Sequence, residues 1–225
     1  MAQDARMIPL CITATMAEPI TSSFMPPALD SMLARQVKLR ERAPHFLRGM
    51  VPELIDIPIA LGASERFYLA SFAQLGEPLW SRVAHVHRRA PSQWYARLCG
   101  PRVKRVDTAT GADKGYRIPR HRSFYHQIHW WCIGDPEPIR DLLSTVLRIG
   151  SCRRDGIGRR REWSVAPCES WGEGFPVMRD GQPLRTLPLG YPGLVEPRTT
   201  MARLMFPYFI HENEEMVACP QSWPH

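Results

Sequence analysis

Residues 123–167 read SFYHQIHWWCIGDPEPIRDLLSTVLRIGSCRRDGIGRRREWSVAP, and their reading decides the fold. The first eleven alternate. Phe124, His126, Ile128, Trp130 and Cys132 fall on one side, and Tyr125, Gln127, His129, Trp131 and Ile133 on the other. A period of two predicts a strand over 123–133. GDPEP follows, with Asp135 suited to cap a helix, Pro136 to its first turn and Glu137 to its dipole. Ile139, Leu142, Leu143, Val146 and Leu147 then form one helical stripe, and Gly150 is placed to end it. After a loop rich in glycine and arginine, REWSVAP reads as a short strand stopped by Pro167.

Working outward from this strand–helix–loop–strand unit, MIPLCITAT (7–15) reads as a first strand. ALDSMLARQVKLRER (28–42) reads as a helix that starts after Pro26 and Pro27 and stops by Pro44. IPIALGASERFYLASFA (57–73) reads as one or two strands with both faces buried. The order is βαββαβ, an α+β arrangement of the ferredoxin-like (RRM-like) kind. A basic insertion at 82–122 separates its second and third strands. Within it, DTATGADKG (107–115) has turn chemistry, so VKRV before it and YRI after it suit the arms of a β-hairpin. Residues 167–225 read as an irregular, β-rich extension, with a hairpin at RDGQPLR and a last strand near RLMFPYFI.

Charge is distributed unevenly. The chain of 225 residues carries a formal +7. Residues 1–81 are net −1, 82–122 net +9, 123–161 net +3 and 162–225 net −4. A block as basic as 82–122 suits a polyanionic partner. The acidic and apolar C-terminal part suits docking against a neighbouring subunit instead. The six cysteines are scattered without a CxxC pair, as expected of free thiols in a reducing compartment. No apolar run approaches the roughly 18 residues of a membrane span. The N-terminus lacks the apolar region of a signal peptide, so a cytoplasmic protein is expected.

The loop GSCRRDGIGRRREW (150–163) holds Gly156 and Gly158 among Arg153, Arg154, Arg159, Arg160 and Arg161. It is not a P-loop. A helix precedes it, a strand follows it, and no Lys-Ser/Thr pair closes it. GxGxxG is absent as well. Glycines do let a backbone approach a phosphate closely, and flanking guanidiniums supply bidentate contacts. Only Asp155 and Glu162 stand near enough in sequence to neutralise five arginines.

A βαββαβ domain with a glycine-rich loop between its second helix and last strand resembles the RAMP superfamily of CRISPR-associated RNA-binding proteins. PLCITATMAEPI, the ALDSMLARQ helix and the order helix, Gly loop, EW strand look like the Cas-five-like subunit of type IV CRISPR complexes. The resemblance spans about residues 7–166; no motif carries it into the C-terminal part. It implies a RAMP domain at 1–166, a thumb-like insertion at 82–122 and an extension at 167–225. It implies a subunit without cofactor or metal that grips the 5′ handle of the guide RNA (crRNA) and caps the filament. Backbone subunits and the large subunit would be its neighbours, with target DNA reached only through the complex and no membrane. In that role Lys104, Arg105, Arg117, Arg120 and Arg122 would contact phosphates, beside Arg88, Arg89, His121 and the loop arginines. Trp94, Tyr95 and Tyr116 would stack on splayed bases.

Some RAMP relatives cut RNA without metal, so a metal-independent endoribonuclease is the alternative. His121, Tyr125, His126 and His129 cluster in sequence, and general acid–base chemistry needs such groups within reach of one another. On one extended strand, however, His126 faces away from His121, and His129 lies about 26 Å from it. His85-x-His87 could begin a metal site, but neither HExxH nor a completing carboxylate context is present.

Overall fold

The computed structural model describes residues 6–21, 27–41, 55–62, 66–88, 116–151, 157–169, 172–204 and 214–221. Its main sheet has four antiparallel strands in the order β3-β6-β1-β7. These are β1 (Ile8–Met16), β3 (Gln74–Leu75), β6 (Gln127–Gly134) and β7 (Arg160–Pro167). Alternation along β1 buries Leu10, Ile12, Ala14 and Met16. Beside them β6 buries Ile128, Trp130 and Cys132. Helices α1 (Leu29–Arg40) and α2 (Pro136–Ser144) cover this face with Leu29, Leu33, Ala34, Ile139, Leu142 and Leu143. The protein is thus strand-rich α+β.

The α2 start follows its sequence signals. The Asp135 side chain accepts from the Glu137 N–H at 3.2 Å, with Pro136 in the first turn. Its end does not. The helix stops at Ser144, well before Gly150, and Leu147 is exposed rather than part of the buried stripe. Ser144 and Thr145 turn their hydroxyls onto the Asp141 and Leu142 carbonyls, a local bond that competes with helix continuation. The stretch 123–133 is likewise not one strand. Ser123 and Phe124 finish β5 (Tyr116–Phe124) in a second sheet, Tyr125 and His126 form the link, and β6 begins at Gln127. Alternation in the sequence runs unbroken through a change of sheet, because a period of two marks extended chain and not the sheet it joins. Of 57–73, the described residues make only isolated bridges, Ile59 to Gly134, Leu61 to Tyr68, Ala70 to Cys132 and Ala28 to Phe72.

The second sheet, β2-β5-β4, contains β2 (Ile20–Thr21) and β4 (Trp80–Arg88). The YRI arm of the basic insertion does pair antiparallel, but its partner is Val86–Arg88 of β4. VKRV lies outside the described residues. In the C-terminal part, β8 (Met178–Arg179) and β9 (Gln182–Pro183) form the hairpin foreseen at RDGQPLR. Asp180 and Gly181 take φ of 51° and 73°, as a tight two-residue turn requires. A three-stranded sheet follows, β10 (Leu187–Pro188), β12 (Glu215–Cys219) and β11 (Arg198–Ala202). Arg203 and Leu204 lie beyond β11 and outside any strand; 205–210 fall outside the described residues.

One buried arginine fastens this extension to the main core. Arg185 is fully buried and donates to the carbonyls of Tyr68, Ala70 and Leu204. Its Nη2 lies 3.4 Å from the buried Asp30 carboxylate on α1. Its guanidinium also sits over the Phe67 and Phe72 rings, at 5.4 and 5.7 Å.

Candidate nucleic-acid interface

The glycine-rich loop leaves and re-enters the fold through a narrow neck. Arg148 bridges Arg159, and the Ile149 N–H donates to the Gly158 carbonyl at 2.8 Å. Gly158 is buried with φ +81°, and a Cβ there would lie 2.1 Å from the Ile149 carbonyl oxygen. Only glycine permits that approach. Gly158 is therefore part of the neck. Arg153, Arg154 and Gly156 lie outside the described residues.

Two loop arginines have internal partners. Glu18 receives Arg148 Nη1 at 2.7 Å and Arg159 Nε at 3.1 Å, and accepts from the Arg159 N–H at 3.2 Å. Burial pushes the Glu18 carboxyl upward, but these hydrogen bonds and the two guanidinium charges outweigh it and hold the group below its ordinary value. Arg160 reaches back over the end of α2, with Nε 3.0 Å from the Val146 carbonyl and Nη2 2.9 Å from that of Ser144. A cation on those last carbonyls is a helix cap. Arg161 is exposed and makes no ion pair among the described residues.

In the hairpin the register decides which positions oppose one another; the side chains of Arg88, Tyr116 and Arg117 lie outside the description. Trp80 pairs with Phe124, Arg82 with Arg122, Ala84 with Arg120, and Arg88 with Tyr116. These positions share one face. Ser81 with Ser123, Val83 with His121, His85 with Pro119 and His87 with Arg117 share the other. The Trp80 and Phe124 rings stack at 6.1 Å, and Arg82 lies 5.1 Å over the Trp80 ring. Arg82 and Arg122 are like charges directly opposed, an arrangement that costs free energy by itself. Arg89, Trp94, Tyr95, Lys104 and Arg105 lie outside the described residues.

Strand β2 joins the two basic regions. Thr21 pairs with Arg122 on one side and with Ser151, at the start of the glycine-rich loop, on the other. Sequence reading missed Thr21, Trp80, Arg82 and Glu18. The W-x-R spacing of Trp80 and Arg82 on a strand was a usable signal; Thr21 and Glu18 matter only through long-range pairing.

Among the described residues the candidate histidines do not form one cluster. His121 and His85 are diagonal neighbours on the second hairpin face, His126 is in the link, and His129 is on β6. His129 Nδ1 contacts the Thr13 hydroxyl at 3.0 Å, and burial lowers its pKa. Among the described residues no three His, Cys, Asp or Glu side chains come together as a metal site. No helix among them is long and apolar enough to cross a membrane.

An α+β protein whose basic hairpin and arginine-rich loop are joined by one short strand has a charge distribution that suits a polyanion. Comparison with known families makes this particular: the model of the family described as CRISPR type IV associated protein Csf3 matches residues 77–220. The chain belongs to that family, the Cas-five-like RAMP proteins of type IV CRISPR systems. The matched region holds the hairpin, the loop and most of the C-terminal extension, where sequence reading found no motif. No curated protein matches the chain.

Proposed function

We propose that the protein is an RNA-binding structural subunit of a type IV CRISPR ribonucleoprotein. In this reading it grips the 5′ handle of the guide RNA and caps the backbone filament. Backbone subunits and the large subunit are its neighbours, and its contribution is binding rather than catalysis. The observation that carries the reading is the double pairing of Thr21. It sets Arg122 of the hairpin, 29 residues before Ser151 in sequence, one strand away from Ser151 at the start of the glycine-rich loop. Basic segments distant in sequence and set on either side of one short strand suit a single-stranded polyanion.

The four-stranded sheet with α1 and α2 is, in the same proposal, a ferredoxin-like RAMP core. The order β3-β6-β1-β7, wholly antiparallel, supports this, because it is the order a βαββαβ chain takes when its first and third core strands pair. The β4–β5 hairpin would be the thumb against the adjacent backbone subunit. Residues 167–225, fastened through Arg185, would form the outer end.

The test is purification of the full chain with its partner subunits, followed by salt titration of RNA binding. Co-purifying RNA and an affinity that falls steeply with salt are expected. A protein that binds no single-stranded RNA at low salt would refute the reading.

A further inference from the structure

Three buried polar atoms on β2 and β5 make no hydrogen bond: Thr21 Oγ1, Arg122 Nε and Arg120 Nε. Their placement is connected. Thr21 is the register partner of Arg122, and Arg122 that of Arg82, so these three form one row across three strands. At a strand spacing of about 4.8 Å the row spans roughly 10 Å. Arg120 stands two residues from Arg122 along the same face, and the Trp80–Phe124 stack stands two residues away on the other side. No carboxylate pairs with Arg82, Arg120 or Arg122 among the described residues.

Two considerations give this a direction. Guanidinium donors and hydroxyls are normally satisfied when buried, and each exception calls for a partner. Like charges in direct register also repel, so the folded protein holds a concentrated positive field over Arg82, Arg120 and Arg122. What answers both is an anion with several acceptor oxygens. Carboxylates of this chain serve that purpose elsewhere, at Glu18 for Arg148 and Arg159 and at Asp30 for Arg185. At the hairpin the described residues supply none.

The geometry points to a phosphodiester-binding site formed by Thr21, Arg82, Arg120 and Arg122, taking one backbone phosphate of a single-stranded RNA. The inference rests on the RNA-binding reading above and makes it specific. Arg120 and Arg122 present Nε and the terminal nitrogens as a planar fork, Thr21 donates its hydroxyl, and Arg82 closes the site from β4. The Trp80 ring holds Arg82 in place through the 5.1 Å contact.

The site is tested with the full-length protein and a single-stranded RNA oligonucleotide. Arg122→Lys keeps the charge but removes the planar donors, and is expected to weaken binding about tenfold. Thr21→Val is expected to weaken binding several-fold, and to raise the melting temperature of the RNA-free protein, since a buried hydroxyl without a partner is replaced by a methyl. Arg82→Gln changes an exposed side chain. By relieving the repulsion with Arg122 it should not lower the melting temperature, and it should reduce the magnitude of the log–log salt slope by about 0.7. A scan of neutral methylphosphonate linkages should find one position whose neutralisation weakens the wild type more than Arg122→Lys. Wild-type binding by Arg122→Lys and Thr21→Val, with steep salt dependence intact, would overturn this site and leave the RNA-binding reading standing. Displacement of the RNA by polyglutamate at equal charge would overturn the phosphate assignment. A wild-type protein that binds no RNA would overturn both.

Discussion

The neck of the glycine-rich loop and the base of the β4–β5 hairpin are both arginine-rich, and they use arginine in opposite ways. At the neck Arg148 and Arg159 share Glu18, and Arg160 caps α2. At the hairpin Arg82, Arg120 and Arg122 have no such acceptor among the described residues, and two of their Nε atoms are buried without one. Formal charge is equal residue for residue; available charge is not. An arginine whose donors are satisfied inside the fold contributes to stability, and one whose donors are not is poised for an external anion. The comparison is sharp enough to break by substitution, because the first kind should cost stability and the second should cost binding.

The largest loss of stability is expected at the arginine with the most internal partners. Arg185→Met removes the bonds to the Tyr68, Ala70 and Leu204 carbonyls and leaves Asp30 buried beside an apolar side chain. Breaking one side of a buried pair typically costs about 3–5 kcal/mol. Urea denaturation should show that loss, and Asp30→Asn in the same chain should restore part of it. An Arg185→Met protein as stable as wild type would mean that burial of this guanidinium is not what holds the extension to the core.

Next is the neck itself. Gly158→Ala forces a Cβ to within 2.1 Å of the Ile149 carbonyl at a φ of +81°. Both the clash and the left-handed backbone are penalised, so a loss of about 2–3 kcal/mol is expected in the same denaturation experiment. Arg160→Met should cost less, about 1 kcal/mol, since it removes a cap from the last carbonyls of α2 while keeping much of the apolar stem. If Arg160→Met instead left stability unchanged and lowered RNA affinity as strongly as Arg122→Lys, the contrast between neck and hairpin would fail.

Much of this was legible in the sequence where the deciding interactions are local. Asp135-Pro136-Glu137 announced the start of α2, Asp180-Gly181 the β8–β9 turn, and the apolar, partly β-branched MIPLCITAT the strand β1. What was hidden depends on pairing across long separations. Nothing near Arg160 in sequence says that its guanidinium folds back 16 residues to Ser144. Nothing in the unbroken alternation of 123–133 says that the chain changes sheets at Tyr125. The hairpin register sets Arg82 against Arg122, 40 positions on, and local turn signals inside the insertion favoured a shorter hairpin. Counting arginines therefore located the basic regions and could not rank them.

The smallest effect is expected at Glu18, and it bears most directly on the ranking. Glu18→Gln keeps the shape and an acceptor but removes the charge that faces Arg148 and Arg159. The Glu18 carboxyl is held below its unfolded value, so its contribution to stability is present above the unfolded pKa and lost as the pH falls through the folded one. The wild type should therefore melt slightly above Glu18→Gln at neutral pH, and the gap should close on acidification below about pH 4. Removing an internal carboxylate also releases two guanidiniums. If the neck arginines are silent toward RNA because Glu18 neutralises them, Glu18→Gln should bind single-stranded RNA more tightly than wild type, with a steeper salt dependence. If they are silent because the neck faces away from the RNA path, affinity and salt slope should match the wild type. The first result makes neck and hairpin one surface tuned by a single carboxylate; the second makes the neck purely a scaffold for the loop beyond it.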